Sequence, residues 1–365
     1  MIKRVCLLCA IVLVMLPNKV HASVSADAEL SEMVGVEAIE GALVGEQREL
    51  LGQVSATEAP DFIEAVQHLL SRAVLQAADY VPQSLRAAGA ILAVCAICGM
   101  VGSISLPGNT QQIAGVAALA AAMFANIKTL IGVSTETVHS LATYAELLLP
   151  ALGTAAAASG AITAGPAIYG ITVLFSNLLL TAITHILIPL LYVFLALSAA
   201  DAALGGTILH RFCALTAWAA KALLKTVLFS FTAFLTVSQI IAGTGDVLTA
   251  KAAKVTISGM IPVVGSIISD ASDTILASAA ILKSSIGVFG MLSILAIAVV
   301  PILRIGIHCL TVKITAAIGS ALAPKALISM IDSIEQALGL ILAATGSCAL
   351  ILLISAVCSL RVVGL

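Results

Sequence analysis

Charge is what this sequence has least of: Asp, Glu, Lys and Arg make up 10% of 365 residues, against 61% hydrophobic ones. A soluble domain carries about 25% charged residues, and one of this length could not hide so much apolar surface from water. A bilayer removes the conflict, because lipid then solvates the outward faces of the helices. Aromatics are scarce as well, at 4% with a single tryptophan, and no Lys/Arg-rich patch interleaves with them. Nucleic acid is therefore excluded as a partner.

Catalytic signatures are missing too. No Cys/His cluster has zinc spacing, no glycine loop ends in Lys-Ser/Thr, and no HExxH occurs. No cofactor is expected, and the chain does not read as an enzyme. Gly243-Thr244-Gly245-Asp246 does spell the Gly-x-Gly-Asp motif of intramembrane aspartyl proteases. That chemistry needs a second aspartate on an earlier span to share a proton. Between Arg86 and Asp246 the only other aspartate is Asp201, at a span end and preceded by Ala200. A turn after the preceding span accounts for the four residues without chemistry. Of eight cysteines, Cys6 and Cys9 fall in a leader and the other six in apolar stretches. Cys95 and Cys98 have redox-motif spacing but no βαβ context, so they read as small packing residues.

What is present begins with a signal peptide at 1–22. Lys3 and Arg4 precede an apolar core from Val5 to Leu16, and Val20-His21-Ala22 is a small-residue cleavage site. An apolar core of about 12 residues is short for an anchor that spans a bilayer. Residues 23–85 follow as an acidic, helical, extracytoplasmic domain. Eleven acidic residues lie between Ser23 and Val81, against Arg48 and Arg72 alone. Asp61 and Glu64 form a capping-box-like start. Phe62, Val66, Leu69, Leu70 and Val74 then make an apolar stripe at helical spacing. With a polar but not basic opposite face, the stripe is expected to pack on Met33–Leu51 or on a partner.

Residues 86–365 form a multi-pass transmembrane domain, so the fold class is all-α. Segments of about 20 apolar residues lie at 87–105, 111–133, 141–163, 167–182, 183–200, 222–243, 284–303, 304–323 and 336–360. The 167–200 stretch reads as one bent helix or a tight pair about Pro189, which leaves seven to nine spans. Two amphipathic stretches, 204–221 with Arg211, Trp218 and Lys221, and 324–338, read as helices at the membrane surface. Pro150, Gly153 and Pro189 align with Pro262, Gly265 and Pro301 at an offset of 112 residues. This points to a duplication of 141–245 and 253–357, and duplicated halves with broken helices are one way to build a transport path.

The 254–290 region concentrates the helix breakers. Gly259, Pro262 and Gly265 precede Asp270, Asp273 and Lys283. Backbone freed by glycine and proline must face protein or a water-filled cavity in a bilayer. Asp270 and Asp273, three apart, would share a helix face. Asp273 is equally well placed to cap a helix entering at Thr274. Glu146, Pro150, Gly153, Pro262, Gly265, Asp270, Asp273 and Lys283 are the candidate pathway or gating residues. Lys128, Asn177, His185, Arg304 and His308 are further polar groups in apolar runs, where an ionisable side chain costs roughly 3 kcal/mol or more at mid-depth. Lys128 and Arg304 sit near segment ends, within snorkelling reach. The histidines read as packing residues.

Ile261-Pro262-Val263-Val264-Gly265, followed by Asp270-Ala271-Ser272-Asp273-Thr274, Ser278 to Gly290 and Pro301, resembles the stage III sporulation protein AE family of endospore-forming bacteria. The likeness is one of sequence over 254–305 and one of arrangement over 23–86. It implies a polytopic, permease-like component of a channel or secretion complex, required for spore formation. Its implied place is the mother-cell membrane around the engulfed forespore. Its implied partners, besides the lipid bilayer, are other stage III A sporulation proteins, including ring-forming subunits and a secretion-type ATPase, and a forespore channel partner. The alternatives are a structural hub with no conduit of its own and a small-solute secondary transporter. The resemblance implies no catalytic residues.

Overall fold

The computed structural model describes residues 35–43, 45–52, 54–56, 62–101, 110–158, 177–178, 180–242 and 265–361. The signal peptide at 1–22, Gly243–Asp246 and Pro262 lie outside them. The described elements are helical, in the order α1 (Val36–Gly41), α2 (Glu46–Leu51), α3 (Phe62–Ala78), α4 (Val81–Val101), α5 (Thr110–Ala158), α6 (Ile188–Leu204), α7 (Thr207–Ala242), α8 (Gly265–Gly319) and α9 (Lys325–Arg361). Among the described residues, six helices are long and apolar enough to cross a membrane, and the fold is all-α and polytopic as the composition requires.

Those six helices form three hairpins: α4–α5, α6–α7 and α8–α9. Gly205, at a φ of 64°, ends α6 by donating its N–H to the Asp201 carbonyl at 2.9 Å. This left-handed cap suits glycine, which has no Cβ to clash. Pro324 opens α9, its carbonyl accepting from Leu327 and Ile328. The tips of the hairpins gather at one end of the molecule. Gln111 of α5 donates to the Cys98 carbonyl of α4 at 2.8 Å, and Gln112 donates to the Ala202 carbonyl of α6 at 2.6 Å. Gly99 lies against the Leu322 carbonyl between α8 and α9, with no room for a Cβ.

Small residues allow this approach, as expected where lipid leaves close packing as the main attraction between helices. A side-chain carbon at Gly115 would sit 2.8 Å from Cys98 Sγ, and one at Gly319 would sit 3.5 Å from Cys95 Sγ. Both cysteines are buried, each set against a glycine of a neighbouring helix, and packing accounts for their spacing. At the other end of the bundle Gly290 of α8 receives Leu148 of α5. The segments Val36–Leu51 and Phe62–Ala78 share this core. Ile39, Leu50, Leu69 and Ala73 are buried in one cluster with Leu148 and Phe289.

The helices run longer than the apolar segments suggested. The expected span 111–133 and the described part of 141–163, which ends at Ala158, are one helix of 49 residues, about 74 Å at about 1.5 Å per residue. A bilayer core is only about 30 Å thick. Residues 134–140 look hydrophilic enough for a turn but hold neither glycine nor proline. Thr135 and Thr137 return their hydroxyls to the carbonyls of Ile131 and Val133. Likewise 284–303 and all of 304–323 up to Gly319 belong to one 55-residue helix that begins at Gly265 and runs through Pro301.

From Thr207 the stretch 204–221, and from Lys325 the stretch 324–338, are the first turns of α7 and α9 and not separate surface helices. Cys213, Ala217, Ala220 and Leu224 make one buried stripe along α7, which holds that stretch in the bundle. Around Pro189 the described residues form one helical run in which a π-turn, Ile183–Leu187, precedes α6. Proline lacks an N–H and crowds the carbonyl four residues back, which here is that of His185, and the wider turn absorbs the insult.

Candidate functional site

Polar groups inside an apolar bundle cost free energy unless they are paired, so their placement marks where function can reside. Contacts between described side chains fix the helix registers. Gly115 faces Leu327 and Ser134 Oγ meets Thr345 Oγ1 at 2.6 Å, so α5 and α9 run parallel. Leu148 on Gly290 sets α8 antiparallel to α5. Ser198 on Cys213 and Asp201 on His210 register α6 against α7.

Of the sequence-predicted residues, the structure brings Glu146, Pro150 and Gly153 together in the last turns of α5. Pro150 leaves the Glu146 carbonyl without a helical donor. The Glu146 carboxylate accepts from Asn177 Nδ2 at 3.1 Å. Glu146 and Pro150 are exposed and Gly153 is buried. Gly265, Asp270, Asp273 and Lys283 lie on the first turns of α8. Asp270 and Asp273 keep their three-residue spacing on one helix. The cap reading for Asp273 is corrected, since the helix starts at Gly265 and Asp273 lies within it. By the register of Leu148 on Gly290, Lys283 stands about two turns beyond that contact, at the end of the bundle that also holds Gly153.

Arg304 is not at a segment end. The helix continues through it, and its guanidinium lies 4.5 Å over the Tyr80 ring, where α3 gives way to α4. His308, one turn on, is 1% exposed. Its Nδ1 sits 3.1 Å from the Arg304 carbonyl. A carbonyl only accepts, so Nδ1 carries the proton and Nε2 is left as a bare acceptor without a partner. His185, by contrast, is exposed on the π-turn and pairs with the Thr184 hydroxyl at 2.9 Å.

Sequence reasoning passed over three features. Tyr144 is buried on α5 with its hydroxyl toward Ser293, whose own proton goes to the Phe289 carbonyl and whose oxygen is left to accept. Ser134 and Thr345 join helices distant in sequence, which no local pattern could foretell. Lys313 Nζ lies 2.8 Å from Glu335 Oε1 across the α8–α9 hairpin. Asp332 shares the polar face of α9 with Glu335 one turn away. A lone lysine inside the apolar run 304–323 was the available signal for this pair. The α6–α7 hairpin carries a polar contact across its turn as well, His210 Nδ1 with Asp201 Oδ2 at 3.1 Å. Among the described residues no group of three or more His, Cys, Asp or Glu side chains is arranged to hold a metal ion.

A family model described as stage III sporulation protein AE matches residues 61–362. The chain is 24% identical over 225 residues to the stage III sporulation protein AE of Bacillus subtilis (strain 168), an alignment that covers 62% of this chain and 56% of that relative. It thus spans little more than half the length of the curated relative. No solved structure matches.

Proposed function

Because the chain belongs to the stage III sporulation protein AE family, we propose that it serves as the polytopic, permease-like membrane component of the complex linking mother cell and forespore during spore formation. Its partners in this reading are the other stage III A proteins, with their ring-forming subunits and ATPase, and a forespore channel partner. The observation that carries it is the joining of six membrane-length helices to carboxylates on one helix, Asp270 and Asp273, behind a cluster of breakers. Two carboxylates a turn apart on a helix of so apolar a bundle are costly to keep unless they meet water or a passing solute. Replacing both aspartates by asparagine should abolish spore formation while protein level and complex assembly hold. Normal sporulation by that variant removes the pathway.

A second reading, a hub that seats partners, has its own observation. The expected stripe of α3 divides: Leu69 is buried, whereas Leu70 and Val74 are 45% and 57% exposed, and beside the stripe Ile63 and Leu75 are 61% and 73% exposed. Apolar surface left open in this way marks contact with another protein. Leu70→Ser with Val74→Ser should release co-purifying partners in step with lost sporulation. Retained partners with lost sporulation would favour the pathway instead.

A further inference from the structure

The exposed face of α5 changes character partway along its length. Ala114, Ala118, Ala121 and Ala125 hold it on the side of the hairpin tips. From Lys128 onward the same face carries Gly132, Glu136, His139, Thr143, Glu146 and Pro150, all of them exposed. The spacing of three and four residues keeps these positions in one stripe on an α-helix. Four of the side chains are ionisable, and lipid does not tolerate such a row.

The change occurs at a level that other helices mark as well. The registers of α4, α5, α6 and α7 carry Arg86, Lys128 and Lys225 to within about a turn of one another. All three are exposed, and none has an ion-pair partner among the described residues. On the tip side of this level large apolar side chains lie open: Ile97, Phe124, Val193, Phe212 and Trp218 are 56%, 63%, 49%, 54% and 66% exposed. The exposed charged ones there include Arg211 and Lys325 near the tips, Lys221 a turn inside the level, and Lys313 and Asp332 on α8 and α9. From Thr110 to Lys128, and from Thr207 to Lys225, the helices rise about 27 Å at about 1.5 Å per residue. A bilayer core of about 30 Å fits that belt and does not fit the whole of α5 or α8. On the other side of the level, the most apolar stretches of α8 and α9 are covered by the chain itself. Most residues of these two stretches are buried in the bundle.

We propose that the bilayer grips only the hairpin half of the molecule, with its phosphates against Arg86, Lys128 and Lys225. The remaining lengths of α5, α8 and α9 then stand outside the membrane as a helical stalk, and the α5 stripe from Glu136 to Glu146 faces water. Anionic headgroups complement the ring of unpaired cations. Lys221, a turn inside it, has a stem long enough to reach the same phosphates. On the α8–α9 flank the belt contains Lys313, which faces the carboxylates of Glu335 and Asp332.

The single tryptophan makes this measurable. The full-length chain is reconstituted in phosphatidylcholine–phosphatidylglycerol vesicles whose acyl chains carry bromine at defined depths. Trp218 fluorescence should be lost most to bromine deep in the chains, since the residue sits mid-belt. A second chain, Trp218→Phe with His139→Trp, should keep its fluorescence at every bromine depth and lose it to iodide present on both sides. A Thr143→Trp companion reads the same face if the first variant does not fold. Bromine quenching at position 139 overturns the proposal. So does shielding of that position from both quenchers, which would mean that a second protein surface covers the stripe, and so does iodide quenching of Trp218.

Discussion

Ser134 and Thr345 meet hydroxyl to hydroxyl at 2.6 Å across 211 positions of sequence, both buried. Thr345 gives its proton to the Ile341 carbonyl, so Ser134 is the donor in the pair. Direction then decides the cost of each substitution. Ser134→Ala leaves Thr345 still bonded and should lower stability by about 0.5–1.5 kcal/mol. Thr345→Val strips a buried donor of its acceptor and should cost about 1–3 kcal/mol. The double variant should recover part of that loss. Thermal unfolding of the detergent-solubilised chain reads all three, and strict additivity would mean that the hydroxyls do not interact.

Gly99 and Gly132 make a matched test of close helix approach. A Cβ at Gly99 would collide with the Leu322 carbonyl, backbone that cannot swing aside, whereas nothing lies within 4 Å of one at Gly132. Gly99→Ala should destabilise by about 1–3 kcal/mol, the usual cost of overpacking. Gly132→Ala should stabilise by roughly 0.5–1 kcal/mol through helix propensity alone. Equal responses at the two sites would deny the contact between α4 and the α8–α9 connection.

The membrane class and the helical fold were legible because they rest on composition and on apolar run length, and both survive without tertiary information. Segment ends were not. The polar run Ser134 to Ser140 reads as a turn by hydropathy, yet a helix stops for lack of hydrogen bonds or for steric reasons, and that run supplies neither. The same confusion divided α8 between Leu303 and Arg304 and set Arg304 at a membrane edge. Among the candidate residues, Glu146, Pro150 and Gly153 stood out by being a charge and two breakers in an apolar run. Tyr144 and Thr345 could not, since each is ordinary within its own helix and notable only for what another helix brings to it.

Arg304 over the Tyr80 ring joins α8 to the start of α4 by a cation–π contact. Tyr80→Phe keeps the ring face and should be nearly silent. Tyr80→Leu, Arg304→Met and their combination should show a coupling of about 0.5–2 kcal/mol in a double-mutant cycle followed by unfolding. A coupling indistinguishable from zero would leave Arg304 held by its own helix and nothing else.

The pair Lys313–Glu335 crosses the α8–α9 hairpin, within the proposed lipid belt and one turn from the exposed Asp332. Lys313→Glu replaces a neutral pair with two carboxylates, and Asp332 adds a third within a turn of Glu335. The hairpin should then splay or leave the bilayer, and spore formation should fall together with the amount of chain in the membrane fraction. Exchange of the partners, Lys313→Glu with Glu335→Lys, restores opposite signs at the same two positions. It should recover membrane insertion and much of the spore yield, because lipid discriminates against net charge and not against which helix carries it. Quantitative immunoblotting of membrane fractions alongside heat-resistant spore counts distinguishes the outcomes. A swap that inserts normally yet fails to sporulate would show that Lys313 acts on something beyond its partner, and a Lys313→Glu chain that inserts and sporulates normally would place this flank in water.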